Sequence, residues 1–295
     1  MKNDAFSGCH PLVNFEFFLS VLLLSMFLTQ PVCLLLSLAG AALYNLRLKG
    51  AKALRFQLVY LLPLLVLTLL LNPLFSHEGA TILLYLPNGN PLTLESMAYG
   101  ASAAVLLAAV VSWFACCNEV LTSDKFIYLF GRAAPALSLL LSMTLRFVPH
   151  FHRQMQQIAQ ARAGLHPGEK GRLRRLRAAM AAFSATVTWA LESAIQTADS
   201  MKSRGYGLKG RTAFHNFRFT RRDGLCLGLC LGLTGVVLAG KLLGALDFQY
   251  YPTISGDLTA PLTLLAQGAF GLLCFFPVIL DFCEDLKWNS LPSAT

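Results

Sequence analysis

The sequence predicts an all-α integral membrane protein with about six transmembrane helices and a basic cytoplasmic domain of long amphipathic helices. Three observations lead to this fold class. The 295 residues are 55% hydrophobic and only 13% charged, with a mean hydropathy of +0.57, whereas a soluble domain carries about 25% charged residues. Apolar runs recur at lengths that can cross about 30 Å of hydrocarbon. Lysine and arginine are confined to some of the segments between those runs.

Six apolar runs are candidates for transmembrane helices. The first two meet at the segment TQP, residues 29–31, and together they are too long for a single span. Pro31 favours a break there, so we expect a tight hairpin of two short helices. The six runs are residues 12–29, 31–46, 56–75, 97–117, 224–245 and 261–281.

Two further helical stretches, residues 135–163 and 173–203, lie between the fourth and fifth runs, and both are amphipathic. In the second stretch, apolar residues recur at heptad-like spacing from Leu173, and the opposite face is polar and rich in arginine. We expect this apolar stripe to be buried against another helix, either of this chain or of a partner. Its central residues are Met180, Phe183, Val187 and Leu191.

The distribution of positive charge predicts the topology, because loops rich in lysine and arginine stay in the cytoplasm. Four such residues lie in 45–55, eight in 146–177 and seven in 202–222, whereas 76–96 and 246–260 contain none. We therefore expect 76–96 and 246–260 to lie outside the cell and both termini to be cytoplasmic.

Segments on the same side of a membrane are separated by an even number of crossings. The segments 118–132, 150–177 and 202–222 are all expected in the cytoplasm. A stretch that connects two of them, either 133–149 or 178–198, therefore cannot make a single crossing of the membrane. We expect both stretches to lie in or under the cytoplasmic leaflet, packed on each other. The alternative is that both span the membrane, which would place the basic segment between them outside.

The chain therefore divides into three parts, and we expect its function in the second. Residues 1–117 hold transmembrane helices 1–4, residues 118–222 form the basic cytoplasmic domain, and residues 223–295 hold the C-terminal transmembrane helices. The sequence contains no GxxxxGK[ST], HExxH, GxSxG or CxxC motif. We expect no catalytic residue, metal site, cofactor or nucleic-acid partner, and we expect reduced, buried cysteines. Few ionisable groups lie deep in the six runs, which disfavours a proton-coupled carrier working alone.

Each amphipathic stretch ends on an arginine beside a glycine. QIAQARAGLHPG (157–168) is expected to end its helix at Gly164, just after Arg162, and SMKSRGYGLKGR (200–211) at Gly205, directly after Arg204. One such ending is an ordinary helix terminus, where arginine gains about 0.3–1 kcal/mol beside the macrodipole. Two endings in one compartment favour a paired device, in which each guanidinium enters a partner's groove and binds a carboxylate. The small flanking residues are Ala161, Ala163, Ser203 and Gly205.

Around these residues the chain resembles the T component of energy-coupling factor transporters, the EcfT/CbiQ family. That family's signature is a pair of short Ala-Arg-Gly-type motifs on cytoplasmic coupling helices, and the corresponding residues here are Ala161-Arg162-Ala163 and Ser203-Arg204-Gly205. Ala163 and Ser203 depart from the pattern, but both arginines are kept. Further matching stretches are HPLVNF (10–15), LRLKG (46–50), SMTLRFVPHF (142–151) and SRGYG (203–207), whereas 246–295 carries no family signal.

The resemblance implies a non-enzymatic scaffold in a prokaryotic cell membrane, with 118–222 as its coupling domain. Such a scaffold binds two ABC-type ATPases through the arginine motifs. It also binds a small membrane-embedded S component, which captures a vitamin or a transition-metal ion. ATP is bound by the partner subunits, so the resemblance implies no cofactor on this chain. The apolar stripe would then be a platform for the S component or for helix packing.

Three other functions stay open on the residues alone. A self-contained permease or channel needs a polar path across the six runs, which we do not find. An ordinary ABC permease needs a coupling loop that ESAIQTAD (192–199) reproduces only in part, because Ala198 stands where glycine is expected. An integral-membrane enzyme needs His, Asp or Cys clustered at one membrane depth.

Overall fold

The computed structural model describes residues 4–76, 79–85, 91–131, 134–165, 171–208 and 217–290. These residues are almost entirely helical, which confirms the predicted fold class. The chain forms two compact units, one from residues 1–125 with 217–295 and the other from residues 126–216. We call them the bundle unit and the paired-helix unit and describe each by itself.

The bundle unit begins with the predicted hairpin. Its helices α1 (Pro11–Phe27) and α2 (Pro31–Lys49) are broken at the expected place, because proline starts the second helix. Helix α3 (Ala51–Phe56) continues through a π-helical turn (Gln57–Leu61) into α4 (Leu62–Phe75). A short antiparallel hairpin of β1 (Ile82–Tyr85) and β2 (Pro91–Thr93), which the sequence did not predict, leads into α5 (Leu94–Val120). Helices α9 (Arg221–Leu242) and α10 (Pro261–Ser290) complete the unit.

Large aromatic rings fill the core of the bundle unit. Phe6 is fully buried, and its ring meets those of Phe17 and Tyr44 edge-on at centroid distances of 5.0 and 6.0 Å. Such edge-to-face pairs contribute about 0.5–1.5 kcal/mol each beyond the area they bury. Gly40 lets α2 approach α10, because a Cβ at this position would lie 2.9 Å from the carbonyl oxygen of Cys274. Small residues at such crossings are typical of helix packing in membranes.

The N-terminal segment is tied to one end of the bundle unit. The backbone amides of Ala5 and Phe6 donate to the Asp281 carboxylate at 2.9 and 3.3 Å. Lys125 Nζ donates to the Ser7 carbonyl at 2.6 Å, and burial lowers the pKa of this lysine while Asp4 opposes that shift. These contacts hold residues 5–7 beside the end of α10 and the start of α6 (Ser123–Gly131).

The loops that carry no positive charge lie at the opposite end of the bundle unit. Tyr250 donates its hydroxyl to the Thr29 carbonyl at 2.9 Å, and the hydroxyls of Ser76 and Tyr251 lie 3.2 Å apart. The described parts of 76–96 and 246–260 therefore share one end of the bundle unit, whereas Arg47 and Arg222 of this unit lie at the other, where they pair with Asp285 and Glu284 near the end of α10. This grouping is the one that the charge pattern requires, and the side on which each end lies stays a prediction.

The paired-helix unit consists of the rest of α6 together with α7 (Pro135–Leu165) and α8 (Arg172–Ser203), two long helices in the predicted places. They run in opposite directions, because Phe151 contacts Trp189 at 5.7 Å while Met143 and Met201 line one groove. The half-buried residues of α7 recur every three to four positions, as one packing face requires. From Met143 onward they are Met143, Phe147, Phe151, Gln154, Ile158 and Arg162, and Ser138 and Leu139 are also half-buried near the start of the helix.

The packing face of α8 differs from the one expected from its sequence. Its covered positions include Ala182, Thr186 and Trp189, whereas the apolar stripe is exposed. Small residues allow two helix backbones to approach closely, which favours this face over the leucine-rich one. Within the described part of the paired-helix unit, no helix buries the stripe, and the expectation that another helix of this chain or of a partner covers it stays a prediction.

Six described helices are long and apolar enough to cross a membrane, and five of them match predicted runs. The run 12–29 forms α1, whose 17 residues extend only about 25 Å, so it is shorter than the other candidates. Helix α8 is the sixth candidate by length and composition, and it is the least apolar of the six. The expectation that 178–198 does not cross the membrane stays a prediction.

Candidate functional site

The end of α8 has the geometry that its sequence predicts. The helix ends at Ser203, and Gly205 follows with φ +81°. The Tyr206 amide donates to the Met201 carbonyl and the Gly205 amide to the Lys202 carbonyl, both at 3.0 Å. This is a Schellman ending, in which glycine is favoured because an L side chain is strained at positive φ.

Arg204 stands at this ending as an exposed side chain. It follows the last helical residue directly, so the Schellman turn fixes the position of its backbone. Within the described part of the chain, its guanidinium is in no salt bridge or hydrogen bond. Ser203 is also exposed, and its hydroxyl donates to the Ser200 carbonyl at 2.9 Å. Arg204 is therefore available to a partner.

The end of α7 differs from the prediction in two respects. The helix continues through Gly164 to Leu165, so Gly164 does not stop it, and Pro167 lies outside the described residues. Arg162 lies in the last turn but is half-buried, and its Nε is inaccessible to solvent without a hydrogen-bond partner among the described residues. Its neighbours Ala161 and Ala163 are exposed. Arg162 therefore lies on the packing face of α7 instead of projecting freely outward.

The two arginines lie towards opposite ends of the helix pair. Arg204 lines the same groove as Arg146 of α7. Arg162 follows Arg146 by four and a half helical turns on that helix, a distance of about 24 Å. The structure therefore brings the two motifs into one unit but does not bring them together into one site.

The apolar stripe of α8 forms a continuous exposed surface. Met180, Phe183, Val187 and Leu191 are 64%, 62%, 41% and 64% exposed. Leu173 and Ile195 extend the stripe in the two directions, so it covers about 33 Å of helix. An apolar surface of this length on a monomer marks a contact with lipid or with another protein.

Sequence reasoning did not identify the surroundings of three residues in this unit. The ring of His150 lies edge-on to that of Trp189 at 5.1 Å. Arg146 and Arg153, which the sequence distinguishes only as two of the positive charges of 146–177, both line the groove that Arg204 also lines. Their spacing of seven residues, with His150 between them, places all three on one helix face and was the available signal.

Comparison with known proteins agrees with these features. The family model described as "CbiQ: Cobalt transport protein" matches residues 7–214, more than two thirds of the chain. The chain belongs to the CbiQ family. Members are non-catalytic, multi-pass transmembrane components of energy-coupling factor transporters. The match includes both arginine motifs and ends before α9.

Two curated relatives carry the description "Energy-coupling factor transporter transmembrane protein EcfT". The protein from Bacillus selenitireducens is 26% identical over 243 residues, which cover 76% of this chain and 88% of the relative. The protein from Lacticaseibacillus paracasei is 33% identical over 105 residues, or 35% of this chain and 40% of the relative. The first relative supports the family over most of the chain, and the second over a shorter region.

Proposed function

We propose that this chain is the energy-coupling scaffold of an importer in a prokaryotic cell membrane. It binds two ABC-type ATPases through the arginine motifs and a small membrane-embedded S component through the exposed stripe of α8. The S component captures a vitamin or a transition-metal ion, and movement of the ATPases is transmitted to it by α7 and α8. The observation that carries the proposal is the pair of arginine motifs on two helices of one packed unit.

The separation of the arginines supports two ATPase contacts instead of one. A guanidinium at a helix terminus can bind a carboxylate bidentately, and such a charge-assisted contact contributes about 1.5–3 kcal/mol. Arg204 lines a groove with Arg146, which is about 24 Å from Arg162 along α7, so the two motif arginines lie towards opposite ends of the helix pair. A single groove on one ATPase cannot bind both side chains, whereas two ATPases can each bind one arginine in a groove of their own.

The rigid connection between the motifs and the stripe supports the coupling role. Arg204 ends the helix that carries the stripe, so a displacement of this end also moves Phe183 and Leu191. The contact with the S component is apolar and needs no specific hydrogen bonds. A surface of this kind tolerates sliding better than one built from fixed polar pairs.

The charge pattern supports the orientation. The end of the bundle unit that holds the N-terminal segment and the end of α10 also carries the basic segment 45–55. We place this end in the cytoplasm with both termini, and the loops 76–96 and 246–260 outside. The ATPases then meet α7 and α8 on the cytoplasmic side.

Co-purification tests the proposal. The tagged chain, extracted in mild detergent from cells that express it at its native level, should retain two ABC-type ATPase subunits and one small, very hydrophobic protein. A chain that purifies alone while it transports substrate in vesicles would be a self-contained permease. A chain that retains ATPases and an extracellular binding protein, but no small membrane protein, would be an ordinary ABC permease. Either result would refute the proposal.

A further inference from the structure

A groove of about 700 Å³ lies between α7 and α8, within the paired-helix unit. Helix α7 contributes Arg146, His150 and Arg153, which share one face because they are four and three residues apart. Helix α8 contributes Gln196, Ser200 and Arg204 from the opposite wall. Three guanidinium groups therefore border one cavity.

The positive charge of this groove is not neutralised by the described part of the chain. No carboxylate is among the groove's described lining residues, and the four ion pairs of the described chain all lie in the bundle unit. Glu192 is near, but its only described hydrogen bond is a long one of 3.5 Å, from Gln196. Because the three arginines repel one another, binding of an anion lowers the free energy of the groove.

The shape and surroundings of the groove favour a lipid headgroup as that anion. Met143 and Phe147 add apolar surface to its wall. Leu141, Leu145 and Val148 of α7 are 48%, 40% and 58% exposed nearby on the same helix. Arginines next to exposed apolar side chains are typical of helices that lie in a membrane interface, where basic residues bind anionic headgroups and apolar residues contact acyl chains.

We propose that this groove binds the phosphate group of an anionic phospholipid. Arg146 and Arg153 bind the phosphate oxygens through their paired N–H groups, and Ser200 and Gln196 supply neutral donors. The acyl chains lie along the exposed leucines of α7. Arg204 borders this groove and is also a proposed ATPase contact, so the lipid phosphate is assigned to Arg146 and Arg153. These two residues are 16 and nine positions, or about 24 and 14 Å, from Arg162 on the same helix, and the test changes them and leaves Arg204 in place.

Trp189, whose ring contacts His150 beside the groove, provides the measurement. The purified full chain is placed in nanodiscs of phosphatidylcholine with a minor fraction of phosphatidylglycerol, with brominated acyl chains on one lipid or the other. The Trp189 signal is the difference from Trp189→Phe. Brominated phosphatidylglycerol should quench Trp189 more than brominated phosphatidylcholine at equal mole fraction.

The variant Arg146→Gln/Arg153→Gln should lose this preference by about 30-fold, since each basic residue near an anionic surface contributes roughly a factor of five. Arg146→Lys/Arg153→Lys should keep part of it. The control Arg175→Gln/Arg177→Gln removes two exposed charges of α8 outside the groove and should keep all of it. Unchanged thermal unfolding of the glutamine variants shows that the fold is retained.

Three results would overturn the proposal. The first is equal quenching by the two brominated lipids, or an unchanged preference in Arg146→Gln/Arg153→Gln. The second is an equal response of Trp189 to inorganic phosphate in discs of phosphatidylcholine alone, which would assign the groove to a soluble phosphate. The third is loss of the preference when the ATPase subunits are added, which would assign the groove to an acidic side chain of the ATPase. Because the first measurements contain no ATPase, failure of the proposed function would leave them unaffected.

Discussion

Replacement of Arg162 and Arg204 by alanine, singly and together, tests the coupling mechanism most directly. Arg204 is exposed and without a partner among the described residues, so its removal should leave folding unchanged. If each guanidinium makes a bidentate contact of about 1.5–3 kcal/mol, each single variant should bind the ATPases about 10- to 150-fold more weakly. Lysine at either position keeps the charge but loses the fork, so it should restore only part of the affinity.

The separation of the arginines predicts how the losses combine. Sites towards opposite ends of the helix pair with no shared contacts should be additive to within about 0.3–0.5 kcal/mol. The double variant should therefore lose the sum of the two single losses, about 3–6 kcal/mol. Strong non-additivity would indicate that both arginines enter one site.

The assay combines ATPase affinity, measured on the chain in nanodiscs, with substrate uptake in cells. Arg175→Ala serves as the matched control, because Arg175 is an exposed arginine on α8 outside both motifs. The half-buried Arg162 also requires a thermal unfolding measurement, which separates loss of packing from loss of the contact. Parental binding and uptake in Arg162→Ala/Arg204→Ala, with a defect in Arg175→Ala, would refute the two-arginine mechanism and move the interface to the start of α8.

Three further predictions concern the stripe, the helix ends and the topology. Phe183→Asp should leave thermal unfolding of the isolated chain unchanged, because this side chain is 62% exposed. The same variant should abolish binding of the S component, because a charge would be buried in an apolar contact, whereas Phe183→Leu should retain binding. Normal binding by the aspartate variant would mean that the stripe contacts lipid instead of the S component. Gly205→Ala should destabilise the end of α8 by about 1–2 kcal/mol and weaken ATPase binding, because φ is +81° there. Gly164→Ala, at a helical position with no atom near the added Cβ, should be neutral or slightly stabilising, and equal unfolding temperatures of the two variants would contradict this reasoning. The topology is tested in a background in which the exposed cysteine of α10 is replaced by serine. Asp257→Cys should then react with an impermeant maleimide on intact cells, and Lys202→Cys should not. The reverse labelling pattern would show that the topology is opposite to the predicted one.

The sequence by itself determined where the helices lie and what kind of protein this is. Apolar runs of sufficient length identify membrane helices because two costs depend little on tertiary structure. They are the cost of exposing apolar side chains to water and the cost of leaving backbone groups unpaired in the hydrocarbon. Proline and glycine determine helix ends locally, as at Pro31 and Gly205. At Gly164 the same local rule places the helix end one residue too early, because a single helical glycine costs only about 1 kcal/mol.

Only the tertiary structure decided which helix faces pack against each other. A hydrophobic period identifies an apolar face, but in a membrane or at a partner interface that face need not point into the chain's own core. Small residues pack α8 through Ala182 and Thr186 and leave Phe183 exposed, because close backbone approach replaces the hydrophobic driving force there. The burial of Arg162, the exposure of Arg204 and the convergence of Arg146 and Arg153 with Arg204 all follow from the antiparallel register of α7 and α8. That register depends on contacts between residues far apart in sequence, which no local pattern contains.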